Sequence, residues 1–206
     1  MLKEIYEQPK SVQDTLRGRI SEDGTKIVLP ELSWTPEEFK KFKKIFIVAC
    51  GTAYHAGLVG KYYIEKMARI PVEVDIASEF RYRDPIIGED CLLIVVSQSG
   101  ETSDTLAALK EAKRRGARSL AVTNVVGSSI AREADQVIYT WAGPEIAVAS
   151  TKAYTTQLVA LLLLAVYIGK LNGKLDAALA EKILTDLHEL PTLCNEIFET
   201  VDDIKA

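Results

Sequence analysis

A recurring rhythm constrains this chain more than any other feature: a short apolar run, a turn with small hydroxyl side chains, and a helical stretch. The apolar runs are mostly unbroken, as expected for parallel strands covered on both faces. Right-handed crossovers then place the intervening helices on the two faces of one sheet. The pattern predicts an α/β fold with a doubly wound, five-stranded parallel sheet flanked by helices. The predicted strands are 45–50, 72–77, 91–97, 118–123 and 136–140.

The segments on either side of this pattern predict mainly helices. Pro9 divides the polar opening into two short helical pieces, and Thr35 suits the N-cap of a helix with Pro36 at its first position. The apolar stretch 158–168 predicts a buried helix, and Pro191 is expected to break the tail into two amphipathic helices. We therefore divide the chain into an N-terminal linker and helical arm (1–44), a core (45–171) and a helical tail (172–206).

Length and composition exclude several classes of protein. The 206 residues, 48% hydrophobic and 26% charged, suit one soluble core rather than a disordered or collagenous chain. Lys and Arg total 25 against 29 Asp and Glu, so no basic excess favours a nucleic-acid partner. The 158–168 stretch is shorter than the ~20 residues of a membrane span. The opening MLKEIYEQPK lacks the apolar segment of a signal peptide. We expect a cytoplasmic protein without a membrane partner.

The cysteines and histidines indicate neither a disulfide framework nor a metal site. Cys50, Cys91 and Cys194 are odd in number and widely spaced, and the chain has only two histidines. We expect a reducing compartment and no metal or other cofactor.

The candidate site is the set of residues that follow the strands, because ligands of open α/β sheets bind at the carboxyl ends of the strands. Hydroxyl side chains dominate there. The sharpest signal is the turn Ser97-Gln98-Ser99-Gly100-Glu101-Thr102, where hydroxyls and backbone N–H groups converge at the start of a helix and suit a phosphate monoester. The alternative is that Ser97, Ser99 and Thr102 only cap the helix.

Other residues near the strand ends have simpler interpretations. Cys50 fits a small buried residue at a strand end, and His55 fits the surface of a helix. Glu145 and Lys152 fit capping or salt-bridging residues unless their loop folds over the site. The basic run from Lys110 to Arg115 fits a solvated helix end.

Four segments give the chain a family resemblance: ACGTAYHAG, IASEFRYRDP, SQSGETSDTL and EIAVASTKAYTTQL. Together they resemble the isomerase half of the glutamine–fructose-6-phosphate aminotransferases, which is built from sugar isomerase (SIS) domains. The resemblance covers nearly the whole chain and includes the opening MLKEIYEQP, which is similar to the linker that enters that half. It implies a SIS domain, a flavodoxin-like three-layer αβα fold that binds fructose 6-phosphate or glucosamine 6-phosphate.

The resemblance also assigns substrate-binding residues. It implies that the phosphate lies against Ser97, Gln98, Ser99 and Thr102, that Cys50, Gly51 and Thr52 lie beside the sugar, and that Val148, Ala149 and Ser150 contact its other end. Ala53 departs from the family, whose members often have serine there. It implies no catalytic residue in this chain, because the family places those groups in a second SIS domain.

The resemblance further implies that the chain is one part of a larger transaminase and is inactive alone. A glutaminase domain would precede it, a second SIS domain would follow it, and the enzyme would be a homodimer. Two alternatives remain open from the residues: a stand-alone SIS sugar-phosphate sensor, and a dimerisation module that uses the apolar 158–168 helix.

Overall fold

A computed structural model describes residues 1–201 of the chain. Its centre is one parallel sheet with the strand order β2-β1-β3-β4-β5, which confirms the predicted doubly wound fold. The third and fourth strands have the predicted bounds, the first begins and ends one residue earlier than predicted, and the second and fifth end one residue earlier. The strands are β1 (Lys44–Ala49), β2 (Val72–Ile76), β3 (Cys91–Ser97), β4 (Arg118–Thr123) and β5 (Gln136–Tyr139).

Nine helices occur within residues 1–201, and those of the core cover both faces of the sheet. They are α1 (Leu2–Tyr6), α2 (Gln8–Leu16), α3 (Pro36–Phe39), α4 (Gly51–Ala68), α5 (Ala77–Tyr82), α6 (Ser103–Arg114), α7 (Ser129–Glu133), α8 (Lys152–Leu171) and α9 (Ala177–Glu199). The sequence analysis did not predict α5, because its six residues are too few to show helical periodicity.

The two faces of the sheet explain why the strand sequences are continuously apolar. Ile45 and Ile47 of β1 belong to a core shared with α4 and α8, whereas Phe46 and Val48 belong to a second core shared with α5 and α6. Successive side chains of a strand point to opposite faces, so every position must be apolar when both faces are covered.

The N-terminal arm packs on the first of these cores. The opening forms two short helices, as predicted, with Pro9 in the first turn of α2 and Val12 fully buried. The Thr35 side chain accepts a hydrogen bond from the Glu38 N–H, and the Glu38 carboxylate accepts one from the Thr35 N–H. This capping box confirms Thr35 as the N-cap of α3.

Helix α8 passes through the interior, as the apolar 158–168 stretch predicts. By length and composition it could also cross a membrane, but 61% of its most apolar window is buried inside the protein. It packs most extensively against α4. Helix α8 is therefore the core helix of this fold.

The prediction of two tail helices broken at Pro191 was wrong. Helix α9 runs continuously from Ala177 to Glu199 with Pro191 inside it. Proline removes one backbone hydrogen bond from a helix, yet contacts on both sides of it keep the axis continuous. Leu184 and Leu187 are buried before the proline, and the Phe198 ring lies 4.7 Å from the Tyr6 ring after it.

Candidate functional site

The site lies where the sheet reverses its winding, between β1 and β3. The chain leaves β1 toward β2 on one side, while β3 to β5 extend on the other. Ala49 pairs with Val96, so the residues that follow, Cys50 and Ser97, leave the sheet side by side. Such a switch point opens a crevice at the carboxyl ends of the strands.

A cleft of about 460 Å³ fills this crevice. It brings together the ends of β1 and β3 and the loop before α8, including every predicted substrate-binding residue except Ala149. The lining consists of Cys50, Gly51, Thr52, Ala53, Val96, Ser97, Gln98, Ser99, Thr102, Glu145, Ala147, Val148, Ser150 and Gln157. The roles of these residues in binding stay predictions.

The turn after β3 is ordered by its own hydroxyl groups. Ser97 Oγ accepts a hydrogen bond from the Gly100 N–H at 3.0 Å and lies 3.2 Å from Thr102 Oγ1. Ser99 Oγ accepts a hydrogen bond from the Glu101 N–H at 3.2 Å. The hydroxyls thus hold the turn in a compact form and converge on one wall of the cleft.

Position 100 of this turn accommodates only glycine. Its φ is +67°, in the left-handed region, and a Cβ there would lie 2.0 Å from Ser128 Oγ. The Gly100 carbonyl also accepts a hydrogen bond from the Ile130 N–H at 2.9 Å. The turn is therefore packed tightly against the start of α7.

The capping interpretation of this turn does not account for Thr102. Thr102 is the N-cap residue of α6, but its side chain makes no capping hydrogen bond, and neither does that of Cys50 at the start of α4. Both helix N-termini reach the cleft with no side-chain cap. Their N–H groups and dipoles favour an anion between them.

The loop before α8 is organised by Glu145, for which the sequence predicted either a capping or a salt-bridging role. The Glu145 carboxylate accepts hydrogen bonds from the Ser150 hydroxyl at 2.9 Å, the Thr151 N–H at 2.8 Å and the Ala153 N–H at 3.1 Å. These bonds cap α8 and offset the negative charge of Glu145. Of α4, α6 and α8, the helices that contribute to the cleft, α8 alone receives a carboxylate cap from within the described residues.

A second carboxylate anchors the loop from the N-terminal arm. Glu4 is buried, and its carboxylate accepts hydrogen bonds from the Ile146 N–H at 2.6 Å and the Ala147 N–H at 3.2 Å. Sequence reasoning missed this residue, because nothing local to Glu4 indicates a partner more than a hundred residues away. The arm therefore helps to shape the cleft.

The remaining residues near the strand ends, which the sequence interpreted more simply, have the following surroundings. Lys152 is buried and forms a salt bridge with Glu7, and exposed His55 packs its ring against Tyr54 on α4. Cys50 is partly buried, with Thr105 Oγ1 at 3.8 Å from its Sγ. The basic end of α6 is tied by ion pairs to neighbouring carboxylates, such as Arg115 to Asp84.

Glu101, the acidic residue inside the turn, is directed away from the cleft and toward α7. Hydrogen bonds from the Ser129 side chain and the Ser129 N–H, the latter 2.7 Å from Glu101 Oε1, lower the pKa of the Glu101 carboxyl. Glu101 is therefore ionised at neutral pH, and its charge is compensated at α7 rather than placed in the cleft.

The sequence of the chain is similar to that of known proteins with this kind of fold. The family model for the SIS domain matches residues 38–167. Glutamine–fructose-6-phosphate aminotransferases [isomerizing] from Caldanaerobacter subterraneus subsp. tengcongensis and Clostridium tetani are 64% and 60% identical over 191 and 205 residues. These matches cover 93% and 100% of this chain but 31% and 34% of the relatives. The chain thus spans about a third of the length of the curated relatives it matches.

Solved structures give the same result. The C-terminal domain of glucosamine-fructose-6-phosphate aminotransferase from Francisella tularensis is 43% identical with a TM-score of 0.91, over 98% of this chain and 57% of that one. A putative phosphosugar isomerase from Silicibacter pomeroyi is 28% identical with a TM-score of 0.72, over 93% of this chain and 54% of that one.

Proposed function

The chain belongs to the SIS domain family, and from this premise we propose that its cleft binds fructose 6-phosphate or glucosamine 6-phosphate. The observation that carries the proposal is the convergence of Ser97, Ser99 and Thr102 with the uncapped N-termini of α4 and α6 on one cleft. Hydroxyl donors and helix dipoles bind a phosphate without a lysine in the turn.

In this proposal the phosphate lies against Ser97, Gln98, Ser99 and Thr102. Cys50, Gly51 and Thr52 lie beside the sugar, while Val148, Ala149 and Ser150 contact its other end. Among the nine helices of residues 1–201, only α4, α6 and α8 supply cleft residues, at or near their N-termini. The assignment follows the family resemblance and is supported by the cleft lining.

The relatives suggest the reaction in which this binding is used. We propose that the chain is the first SIS domain of an enzyme that converts fructose 6-phosphate and glutamine into glucosamine 6-phosphate and glutamate, for amino-sugar synthesis. The chain contributes binding rather than proton transfer. Holding the phosphate fixes the distant reacting carbons, so the binding energy is used to position the substrate.

The same proposal includes a cytoplasmic homodimer in which a glutaminase domain and a second SIS domain complete the active site. The relatives are about three times as long as this chain, which supports the further domains. Sedimentation of the whole enzyme tests the homodimer, and a monomer of full activity would contradict it.

Calorimetric titration of the 206-residue chain tests the binding function. We expect fructose 6-phosphate and glucosamine 6-phosphate to bind and unphosphorylated fructose to fail, because the phosphate supplies the main contacts. Ser99→Ala and Thr102→Ala should each weaken binding with little change in unfolding midpoint. Thr192→Ala, on the exposed surface of α9, is the matched control. Equal affinities for wild type and the two cradle variants would refute the phosphate assignment.

A further inference from the structure

One buried polar side chain in the cleft has no role in the site described so far. Gln157 lies in the second turn of α8, is only 3% exposed, and lines the cleft with the sugar-phosphate residues. Within the described residues its side-chain carbonyl oxygen has no hydrogen-bond partner. A buried amide oxygen without a partner is uncommon in folded proteins and requires an explanation.

The neighbouring residue shows that the helix itself does not cause this. Thr156 is also fully buried, but its hydroxyl donates a hydrogen bond to the Ala153 carbonyl at 2.9 Å. A threonine can satisfy its hydroxyl within its own helix, whereas the longer glutamine side chain carries its amide away from the backbone. Gln157 therefore depends on a partner from outside α8.

The chemistry of the amide indicates the partner. A carbonyl oxygen accepts hydrogen bonds only, and a phosphate dianion also only accepts, so the two do not pair. A sugar hydroxyl both donates and accepts, and it matches either end of the amide. Ala53 and Val96 also line the buried part of the cleft, and their apolar side chains offer the amide no hydrogen bond. The unpartnered carbonyl oxygen of Gln157 is thus suited to a hydroxyl of the sugar rather than to the phosphate.

We infer that Gln157 is a substrate-binding residue whose side-chain amide hydrogen-bonds a hydroxyl group of the sugar in this cleft. The inference rests on the proposed function, since it names a further contact within the same site. It assigns to α8 a share in sugar recognition that is separate from the phosphate cradle of α6.

Two measurements on the 206-residue chain test this inference. The first is titration of Gln157→Met, which keeps the length of the side chain and removes its amide. Fructose 6-phosphate should bind roughly two- to tenfold more weakly, the loss expected for one hydrogen bond. Thr156→Val is the matched control, because it removes a buried polar group from the same turn without touching the cleft, and its affinity should equal that of wild type.

The second measurement needs no substitution. The side-chain amide resonances of Gln157 in the ¹⁵N–¹H spectrum should shift when the wild-type chain is saturated with fructose 6-phosphate. Unchanged amide resonances in a chain that binds the sugar phosphate, or wild-type affinity for Gln157→Met, would overturn the inference and leave the proposed function intact. Absence of binding by the wild-type chain would overturn the proposed function, and the assignment of Gln157 with it.

Discussion

The Lys152 ammonium lies 2.6 Å from the Glu7 carboxylate and joins the first residue of α8 to the junction of α1 and α2. Lys152 is almost completely buried, whereas Glu7 is about one-third exposed. Together with the bonds from Glu4 to the 146–147 backbone, this pair attaches the arm to the loop that lines the cleft. The arm is thus a structural part of the site.

Substitution of Glu7 and substitution of Lys152 should destabilise the protein to different degrees. Glu7→Gln leaves a buried ammonium without its counter-charge, whereas Lys152→Met removes the buried charge itself. We expect the midpoint of thermal unfolding to fall further for Glu7→Gln than for Lys152→Met. Lys10→Met, which breaks the exposed Lys10–Asp14 pair, serves as the control and should change the midpoint little. The reverse order of the first two variants would contradict this account.

The same pair predicts a loss of stability in acid. The Lys152 hydrogen bond holds the pKa of the Glu7 carboxyl below its ordinary value of 4.5. A carboxyl whose pKa is lower in the folded protein stabilises the fold above its unfolded pKa and loses that contribution as pH falls through the folded pKa. Urea unfolding at a series of pH values should show stability decreasing below pH 4.5. Glu7→Gln should reduce the slope of that decrease, and an identical slope would show that Glu7 is not involved.

Gly100→Ala should damage the phosphate cradle more than a comparable substitution elsewhere. A left-handed backbone alone costs alanine about 1–2 kcal/mol, and at Gly100 the new Cβ also meets Ser128. Gly127 has a similar φ of +70° with open space around its Cβ position, so Gly127→Ala carries only the backbone cost. Chemical denaturation should give a larger loss for Gly100→Ala. Sugar-phosphate affinity should also fall in that variant, and equal losses in both would exclude the packing effect.

Ala53→Ser should strengthen the binding of sugar phosphate. Ala53 lies in the first turn of α4 and lines the cleft. One added hydroxyl donor is worth about 0.5–1.5 kcal/mol, or roughly two- to tenfold in affinity. Ala56→Ser, buried on the same helix and outside the cleft lining, is the control and should leave affinity unchanged. An unchanged affinity for Ala53→Ser would place the phosphate away from the start of α4.

Pro191→Ala should stabilise the protein, because it restores a backbone N–H in the interior of α9. A proline inside a helix costs up to about 3 kcal/mol relative to alanine. Pro36 begins α3, where its missing N–H costs nothing, so Pro36→Ala should bring no such gain. Differential scanning calorimetry of both variants decides the point. A lower midpoint for Pro191→Ala would mean that the proline stabilises the tail through contacts of its ring.

The elements best predicted from the sequence are those whose environment is uniform. Strand β3 is buried at all seven positions, and its continuous apolar run gives its bounds directly. The tail was predicted less well, because local propensity treats Pro191 as a break whereas packing on both sides of it decides that α9 continues. Helix α5 was missed because six residues carry too little periodicity.

The sequence alone determined the parallel sheet and the edge at which the cleft lies, because burial of both faces leaves a continuous apolar signature and the turn residues follow each strand directly. Only the tertiary structure decided which distant groups complete the site. Glu4 reaches the loop at 146–147, Lys152 reaches Glu7, and Gln157 enters the cleft from a helix that is mostly apolar. These contacts join segments far apart in the chain, and no local pattern records them, because they form only when the arm and α8 pack against the sheet.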